Sequence, residues 1–596
     1  MAYKFVADLE GFLRGKYEKF PAGSVIAPEP CPAGMNGDLT VNCFRFAKSC
    51  GNPMAVAAEV TEYLNGHADV AHAEAVKAFV NVTLKPAALY RDSVADVTAL
   101  LASAKLPEEC RRRILIEFSA PNTNKPQHLG HVRNNTLGMS LGSLLKRVGH
   151  DVIEINLVND RGIHICKSMI AYERFGNGCT PESTGMKGDH LVGKFYVDYN
   201  KALSEEIKAL KEAHPELAEK SSEELFLDTE LGAATQKMLQ QWEAGDPQVR
   251  ALWRKMNDWV FAGFAETYER MGIHFDHTYL ESETYLLGKD IIASGLEKGV
   301  FTKREDGAVI CDLGKLGKKV VLRSDGTSVY ITQDIGTTLR KYEDYHPESM
   351  IWVVGDEQNL HFQMLFTIME RLGYSWAKDL YHLSYGMVNL PTGKMKSREG
   401  TVVDADDLFD EMASLAMEAC RERGGEELSP EELKARGEII GLGALKFMLL
   451  KFNPKTTIMF DPAASLRFEG DTGPYVQYVA ARIQSIRRKA AERGIEFSPE
   501  KVDWSLLGAE TEKFLAVTAS FYPSVLQLAA ERRDCSGLVE YLLNLGKAFN
   551  SFYRECPVLA AETPELAAAR LALSSAVREI IADGLGTLTI GIPDAM

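Results

Sequence analysis

The chain has 596 residues, 45% of them apolar and 25% charged, with a formal charge of −16. That length implies several domains, and the composition leaves no segment poor enough in hydrophobes to stay disordered and no apolar run of the ~20 residues needed to span a bilayer. The acidic balance argues against indiscriminate coating of nucleic acid, which rests on neutralised phosphates, so a nucleic-acid partner would need a local basic face.

The opening MAYKFVADLEGFL mixes charges into an amphipathic pattern with no signal-peptide core, and the expected address is the cytoplasm. Ten scattered cysteines without a C-x-x-C pair read as reduced thiols, so no metal site is expected among them. Residues 1 to about 110 form a small first module with helical patterning at each end of a Pro/Gly-rich stretch, Pro21 to Pro32, that reads as loop.

ILIEF (114–118) is a short apolar β-type run, followed by an Asn/Pro-rich turn and a helix from about Gln127 to Val148. Leu137, Leu141, Leu144, Leu145 and Val148 recur at helical spacing, and Gly149 supplies the stop. VIEINLV (152–158) completes a βαβ unit with parallel strands and a right-handed crossover. Residues from about 171 to 275 then break the rhythm with charged helical segments, which suits an insertion into the sheet domain.

The alternation resumes with SVYI (328–331) as a strand, a helix through LRKYEDY, MIWVV (350–354), a helix from about Asn359 to Leu372, and LSYGMVNL (383–390). After Gly400 the chain turns helical with Asp404 as N-cap, and from about Asp461 a helical bundle runs to the terminus through 473–492, 505–531, 536–555 and 565–584. The expected architecture is α/β: a doubly wound parallel (Rossmann) sheet domain over 111–400, an N-terminal α+β module over 1–110, a helical connection over 401–460 and an all-α bundle over 461–596.

In the turn after the first strand of the sheet domain, His128-Leu129-Gly130-His131 opens the helix. A helix N-terminus at the carboxyl end of a parallel strand offers unpaired N–H groups and a positive dipole end to phosphate oxygens. His128 and His131 lie three apart and leave on one side, and Gly130 lets an adenine ring approach the backbone. Far downstream, Pro391-Thr392-Gly393-Lys394-Met395-Lys396-Ser397-Arg398-Glu399-Gly400 is a basic, glycine-flanked loop of the composition expected to close on a triphosphate.

The two motifs in this order resemble the HIGH and KMSKS motifs of the class I aminoacyl-tRNA synthetases. Lys394 and Met395 agree with the second motif, but Lys396-Ser397-Arg398 stands where Ser-Lys-Ser is usual. Arginyl-tRNA synthetases commonly lack that second lysine and carry a basic residue ahead of HIGH, where Lys125 stands here. The resemblance therefore implies ATP binding by His128, Gly130, His131, Met395 and Ser397, with Mg2+ bridging the phosphates and His128, His131, Lys125, Lys394 and Lys396 stabilising charge on them.

Recognition of a guanidinium calls for buried carboxylates, because the group keeps its charge and its five donors need acceptors in fork geometry. Glu117 and Asn122 flank the turn beside His128, and Tyr330 and Asp334 are four apart, so a ring and a carboxylate can meet one cation from the same side. EFSAPN (117–122) resembles the family's E-F-S-S-P-N, with Ala120 in place of a serine, and YITQDIG (330–336) resembles its Y-x-T-x-D-x-G. By resemblance Glu117, Ser119, Asn122, His128, Tyr330, Asp334 and Gln358, in GDEQNLHF (355–362), contact L-arginine.

A basic face of Arg482, Arg487, Arg488, Lys489 and Arg493 follows FEGDTGPYVQYVAARIQSI (468–486), where Tyr475, Tyr478 and Arg482 share one helical side. Such a stripe serves either as core or as a platform for unpaired bases. The segment is similar to T-G-P-Y-x-Q-Y of the family's anticodon-binding domain, and KAFNSFYRECPVL (547–559) and GLGTLTIGIPDAM (584–596) resemble its remaining signatures. Tyr475, Tyr478, Arg482 and Met596 are thereby anticodon candidates. GDLTVNCFRFAK (37–48) and FVNVTL (79–84) resemble the N-terminal addition domain, in which Asn81 matches a residue that reads the tRNA elbow, and Ala78 replaces a usual glycine.

The resemblance implies activation of arginine with ATP and its transfer to tRNA-Arg in translation, by a monomer that needs bound tRNA before it activates arginine. The rivals are another class I synthetase or a small-molecule adenylyltransferase, and a non-catalytic paralogue that binds arginine or tRNA.

Overall fold

The computed structural model describes residues 3–21, 26–32, 34–390, 403–422, 428–498 and 501–596. In the first module β1 (Glu29–Pro30), β2 (Leu39–Asn42), β3 (Val70–Val76) and β4 (Phe79–Leu84) form an antiparallel sheet in the order β1-β2-β4-β3. Leu39, Val41, Val80 and Val82 alternate onto one face and pack against Leu9 and Leu13 of the helix Lys4–Lys16 and Val56, Val60 and Leu64 of the helix Pro53–Asn65. The stretch read as loop over 21–32 carries the two-residue edge strand β1.

Five parallel strands build the central sheet: β5 (Arg113–Glu117), β6 (Asp151–Val158), β7 (His277–Leu280), β11 (Ser349–Gly355) and β12 (Leu380–Tyr385), in the order β12-β11-β5-β6-β7. Both faces are covered, which explains the unbroken apolar runs. Ile114, Ile116, Ile351 and Val353 enter one core, whereas Leu115, Met350 and Trp352 enter another on the opposite face. The chain leaves β5 toward β6 on one side and later returns through β11 on the other, so the topological switch lies between β5 and β11, where such sheets bind ligands.

The helix Leu129–Arg147 joins β5 to β6 as expected, starting two residues later than the periodicity suggested. Between β6 and β7 the helices Ile163–Phe175, Gly188–Ala213, Glu230–Glu243 and Pro247–Met271 enclose a core of their own around Met169, Phe195, Tyr199, Trp242 and Val260. The structure differs at SVYI: Ser328 and Val329 precede a helix that begins at Tyr330 and runs to Tyr345. A four-residue apolar run is compatible with either structure, and here Ile331 and Ile335, one turn apart, are both buried. Upstream of it, β8 (Thr302–Lys303), β9 (Val309–Asp312) and β10 (Lys318–Leu322) form an antiparallel sheet that the sequence reading passed over.

LSYGMVNL also divides, with β12 ending at Tyr385 and β13 (Val388–Asn389) pairing in parallel with β14 (Ile458–Met459). Asp404 caps the helix Ala405–Glu422 by accepting from the Asp406 and Asp407 N–H groups at 2.8 and 3.3 Å. The helix expected over 505–531 is two, Glu510–Ser520 and Tyr522–Arg532, because Pro523 cannot donate in a helix interior and instead starts the second. The remaining bundle helices are Gly473–Glu492, Ser536–Glu555 and Pro564–Thr587. One continuous core joins this bundle to the sheet domain through Leu141, Leu408, Phe447, Val479, Leu542 and Leu573, and Tyr90, Val94, Leu100 and Ala104 belong to it by packing. Among the described residues no helix is long and apolar enough to cross a membrane.

Candidate active site

The turn after β5 is strained. Ser119 and Ala120 have φ of 76° and 47°, the left-handed region, at a cost of order 1–2 kcal/mol per non-glycine residue. Buried amides hold them there: the Ser119 N–H donates to Asn134 Oδ1 at 2.6 Å and the Ala120 N–H to Asn156 Oδ1 at 3.0 Å. The Ser119 hydroxyl, expected to face arginine, is buried and turned inward, 2.7 Å from the Tyr268 hydroxyl. Asn122 continues the turn in a parallel bridge with Asn159 beyond β6, at the rim of the sheet.

His128 is the N-cap of the helix that Leu129 opens, with φ −135° and ψ 173°. Its Nδ1 accepts from the Gly130 N–H at 3.1 Å, while the His128 N–H donates to His131 Nδ1 at 3.2 Å. Burial, with Lys125 nearby, lowers His128 to about 4, and burial with His128 and Lys125 also pushes His131 well below the ordinary imidazole value. Both rings are therefore neutral at pH 7, and since each Nδ1 is an acceptor, each Nε2 carries the proton. The ring centroids are 4.0 Å apart. A Cβ on Gly130 would lie 2.9 Å from His128 Cε1, so this glycine makes room for the capping ring itself.

Lys125 lies at the same end, its ammonium lowered by burial, and lines a cleft of about 330 Å³ together with Asn122, Asn159, His164, Tyr196 and Glu281. Lys394, Met395, Lys396 and Ser397 lie outside the described residues. The segment that follows them is anchored at the histidines: the Leu129 N–H donates to the Val403 carbonyl at 2.9 Å, and His128 and Asp404 form an antiparallel bridge.

Acidic groups gather at the other end. Glu117, 6% exposed at the end of β5, is ion-paired with the buried ammonium of Lys341, whose Nζ lies 5.5 Å from the Trp352 ring centre. Asp334 Oδ2 is 2.6 Å from His361 Nε2, and the His361 and Tyr330 rings are 5.3 Å apart. Tyr330 is 65% exposed, and its phenol is pushed up by Asp334 first, then by burial, Glu117 and Glu281. These groups thus share one neighbourhood, with Tyr330 and Asp334 one helical turn apart as the spacing required. Gln358 closes a short 3-10 turn at the carboxyl end of β11, across the switch point from Glu117.

Glu281, Lys341 and His361 were missed by sequence reasoning. Glu281 follows the end of the parallel strand β7, and that position was the available signal. Burial and repulsion from Asp160 and Asp334 outweigh Arg161 and raise its carboxyl to about 7.

Elsewhere, Tyr478, Arg482, Arg487, Arg488 and Met596 line a cleft of about 830 Å³ in the bundle. Arg482 donates to the Tyr478 hydroxyl at 2.8 Å and to Asn550 Oδ1 at 3.1 Å, and its guanidinium lies 4.5 Å from the Tyr478 ring centre. Tyr475 instead packs against the core, its hydroxyl accepting from Asn550 Nδ2 at 2.9 Å. Asn81 is 2% exposed on β4 with its amide nearest the Met35 sulfur, so this conformation does not present it at the surface.

Comparison with known proteins agrees along the whole chain. Residues 11–84 match the arginyl tRNA synthetase N terminal domain, 96–461 the catalytic domain of class I tRNA synthetases (R), and 476–596 the DALR anticodon binding domain. An arginine–tRNA ligase of Parabacteroides distasonis is 46% identical over 94% of each chain, and one of Bacteroides thetaiotaomicron is 45% identical over 100% of this chain and 99% of its own. The arginyl-tRNA synthetase structure of Thermus thermophilus superposes with a TM-score of 0.79 at 25% identity over both full chains. With a strand-turn-helix HxGH site, a helical bundle behind it and relatives of this identity along its full length, the chain belongs to the arginyl-tRNA synthetase family of class I aminoacyl-tRNA synthetases.

Proposed function

We infer that the chain catalyses the reaction its family is named for, arginine–tRNA ligation, with the cleft at the carboxyl ends of the parallel strands as its active site. The observation that carries this is the convergence at the carboxyl end of the sheet of neutral N–H donors with Lys125 on one side and carboxylates around Tyr330 on the other. An arginine carboxylate oxygen attacks the α-phosphorus of ATP, the bond to the β-phosphate oxygen breaks, and pyrophosphate leaves. The terminal ribose 2′-hydroxyl of the tRNA then attacks the arginyl carbonyl, its proton passes to the departing phosphate, and AMP leaves.

In this reading the His128 and His131 Nε2–H groups and the Lys125 ammonium meet phosphate oxygens, where charge develops. By the family resemblance, Lys394 and Lys396 add cations at the phosphates, and Met395 and Ser397 bind the nucleotide. Asp334 and Glu281 take the guanidinium with Tyr330 over its plane, while Glu117, Asn122 and Gln358 meet the amino-acid end. Mg2+ takes oxygen ligands, whereas His128 and His131 offer only ring nitrogens and Lys125 a cation, so these residues do not form a site for it. Tyr478, Arg482 and Met596 form the anticodon contact, with tRNA binding preceding arginine activation in a cytoplasmic monomer.

ATP–pyrophosphate exchange measured with each amino acid, with and without tRNA, tests the reading. Exchange driven only by arginine plus tRNA is expected. Exchange with a different amino acid, or arginine binding that never supports exchange, would sink it.

A further inference from the structure

The helical insertion, silent by motif, is tied to the HxGH turn at two places. Along the helix Gly188–Ala213, Gly193 packs so closely on the turn that a Cβ there would lie 2.7 Å from Pro126 Cδ and 3.5 Å from Lys125 Cα. At the start of the same helix, Lys187 and His190 reach the segment that begins at Val403. Lys187 Nζ is 2.7 Å from Asp406 Oδ2, 3.5 Å from Asp189 Oδ2 and 2.5 Å from the Thr267 hydroxyl. His190 Nε2 is 2.9 Å from Asp406 Oδ2 and 3.7 Å from Asp404 Oδ1.

Three carboxylates, those of Asp189, Asp404 and Asp406, thus crowd one spot with Asp189 fully buried, an arrangement that repels itself unless cations share it. Burial alone would raise the Asp406 carboxyl, yet the His190 and Lys187 hydrogen bonds bring it down to about 2. Residues Asp189, His190 and Asp406 offer atoms within 4.8 Å of one another, but the Lys187 ammonium already supplies positive charge to both carboxylates.

The held segment in turn holds the histidines. The Leu129 N–H donates to the Val403 carbonyl at 2.9 Å, the Ala405 N–H to the Gln127 carbonyl at 3.0 Å, and His128 bridges Asp404. We propose that Lys187 and His190 of the insertion are positioning residues for the HxGH imidazoles: through Asp406 and Asp404 they fix 403–405, and 403–405 fixes the capping conformation at 127–129 that aims both Nε2–H groups. A displacement of about 1 Å in such groups costs on the order of 100-fold in rate. The role rests on the phosphate-end reading above.

The test uses the full chain in tRNA-dependent ATP–pyrophosphate exchange, with Asp406→Asn, Lys187→Met, Lys187→Arg and His190→Gln, each also in a His131→Ala background. Asp406→Asn and Lys187→Met are expected to lower kcat by roughly 10–100-fold with the KM for arginine unchanged, and Lys187→Arg to restore most of it. In the His131→Ala background the same changes should cost less than in the wild type, because only the His128 Nε2–H is left to misaim. Should Asp406→Asn fail to fold in a thermal melt, the milder His190→Gln carries the same expectation. A normal kcat in Asp406→Asn and His190→Gln, an equal loss in both backgrounds, or no rescue by Lys187→Arg overturns the proposal. If His131→Ala is itself without effect, the phosphate-end reading falls with it; if His131→Ala is impaired and Asp406→Asn is not, this proposal alone fails.

Discussion

Glu281 offers the sharpest test of the arginine end, because its titration crosses the working range. Its carboxyl is raised from 4.5 to about 7 by burial first and by Asp160 and Asp334 next, against the pull of Arg161. Only the carboxylate form accepts from a guanidinium with full charge assistance, and at pH 6 about one-tenth of the free enzyme holds it. The ratio kcat/KM for arginine reports the free enzyme, so it should fall about tenfold between a plateau above pH 8 and pH 6, and about tenfold per unit below that. His128, at about 4, titrates too low to produce this limb.

Stability has the opposite sign. The folded value lies above the unfolded one, so the contribution of protonated Glu281 is full below about pH 4.5 and is lost as pH rises through 7. Arginine, a cation that favours the carboxylate, should therefore raise the melting temperature more at pH 8 than at pH 6. Glu281→Gln removes the charge and the titration together. Its profile should be level through pH 7 and lower by on the order of 100-fold, in line with the 2–5 kcal/mol lost when one partner of a buried charge pair is removed. The assay is the initial rate of exchange at subsaturating arginine from pH 5.5 to 8.5. A wild-type profile that is flat between pH 6 and 8, or a limb that survives in Glu281→Gln, would refute the reasoning.

His131→Ala, which removes one phosphate-facing donor, should lower kcat by about 10²–10³ in the exchange assay, and an unchanged turnover number would remove its assigned role. Lys341→Met leaves Glu117 buried without its counter-charge and should destabilise the fold by about 3–5 kcal/mol, read by chemical denaturation, and raise the KM for arginine. Arg482→Ala breaks bonds to Tyr478 and Asn550 at the large bundle cleft and should raise the KM for tRNA while the KM for arginine stays unchanged. A stacking contribution of about 1–3 kcal/mol per base sets that increase at roughly 5- to 150-fold in a tRNA titration.

How legible each residue was depends on the range of the interactions that place it. HxGH, with Asn122 and Lys125 just ahead of it, is arranged by a strand, a turn and a helix start within fifteen residues, and local spacing sufficed to find that end of the cleft. Tyr330 and Asp334 were paired by their spacing of four although SVYI (328–331) was read as a strand, and the structure makes that spacing one helical turn by starting the helix at Tyr330. The serine hydroxyl of EFSAPN was assigned outward, and the structure turns it to Tyr268, 149 residues away.

Length, apolar periodicity and short motifs by themselves determined the α/β core, the insertion, the helical C-terminal half and the family, since each is recorded in hydrogen bonds and side-chain spacings a few residues long. Tertiary structure alone decided which charges face one another: Lys341 against Glu117 across 224 positions, His361 against Asp334, Glu281 beside Asp334 and Asp160, and Lys187 of the insertion against Asp406. The physical reason is that these groups owe their burial and orientation to partners brought in by sheet order and helix packing, and one-dimensional spacing contains neither.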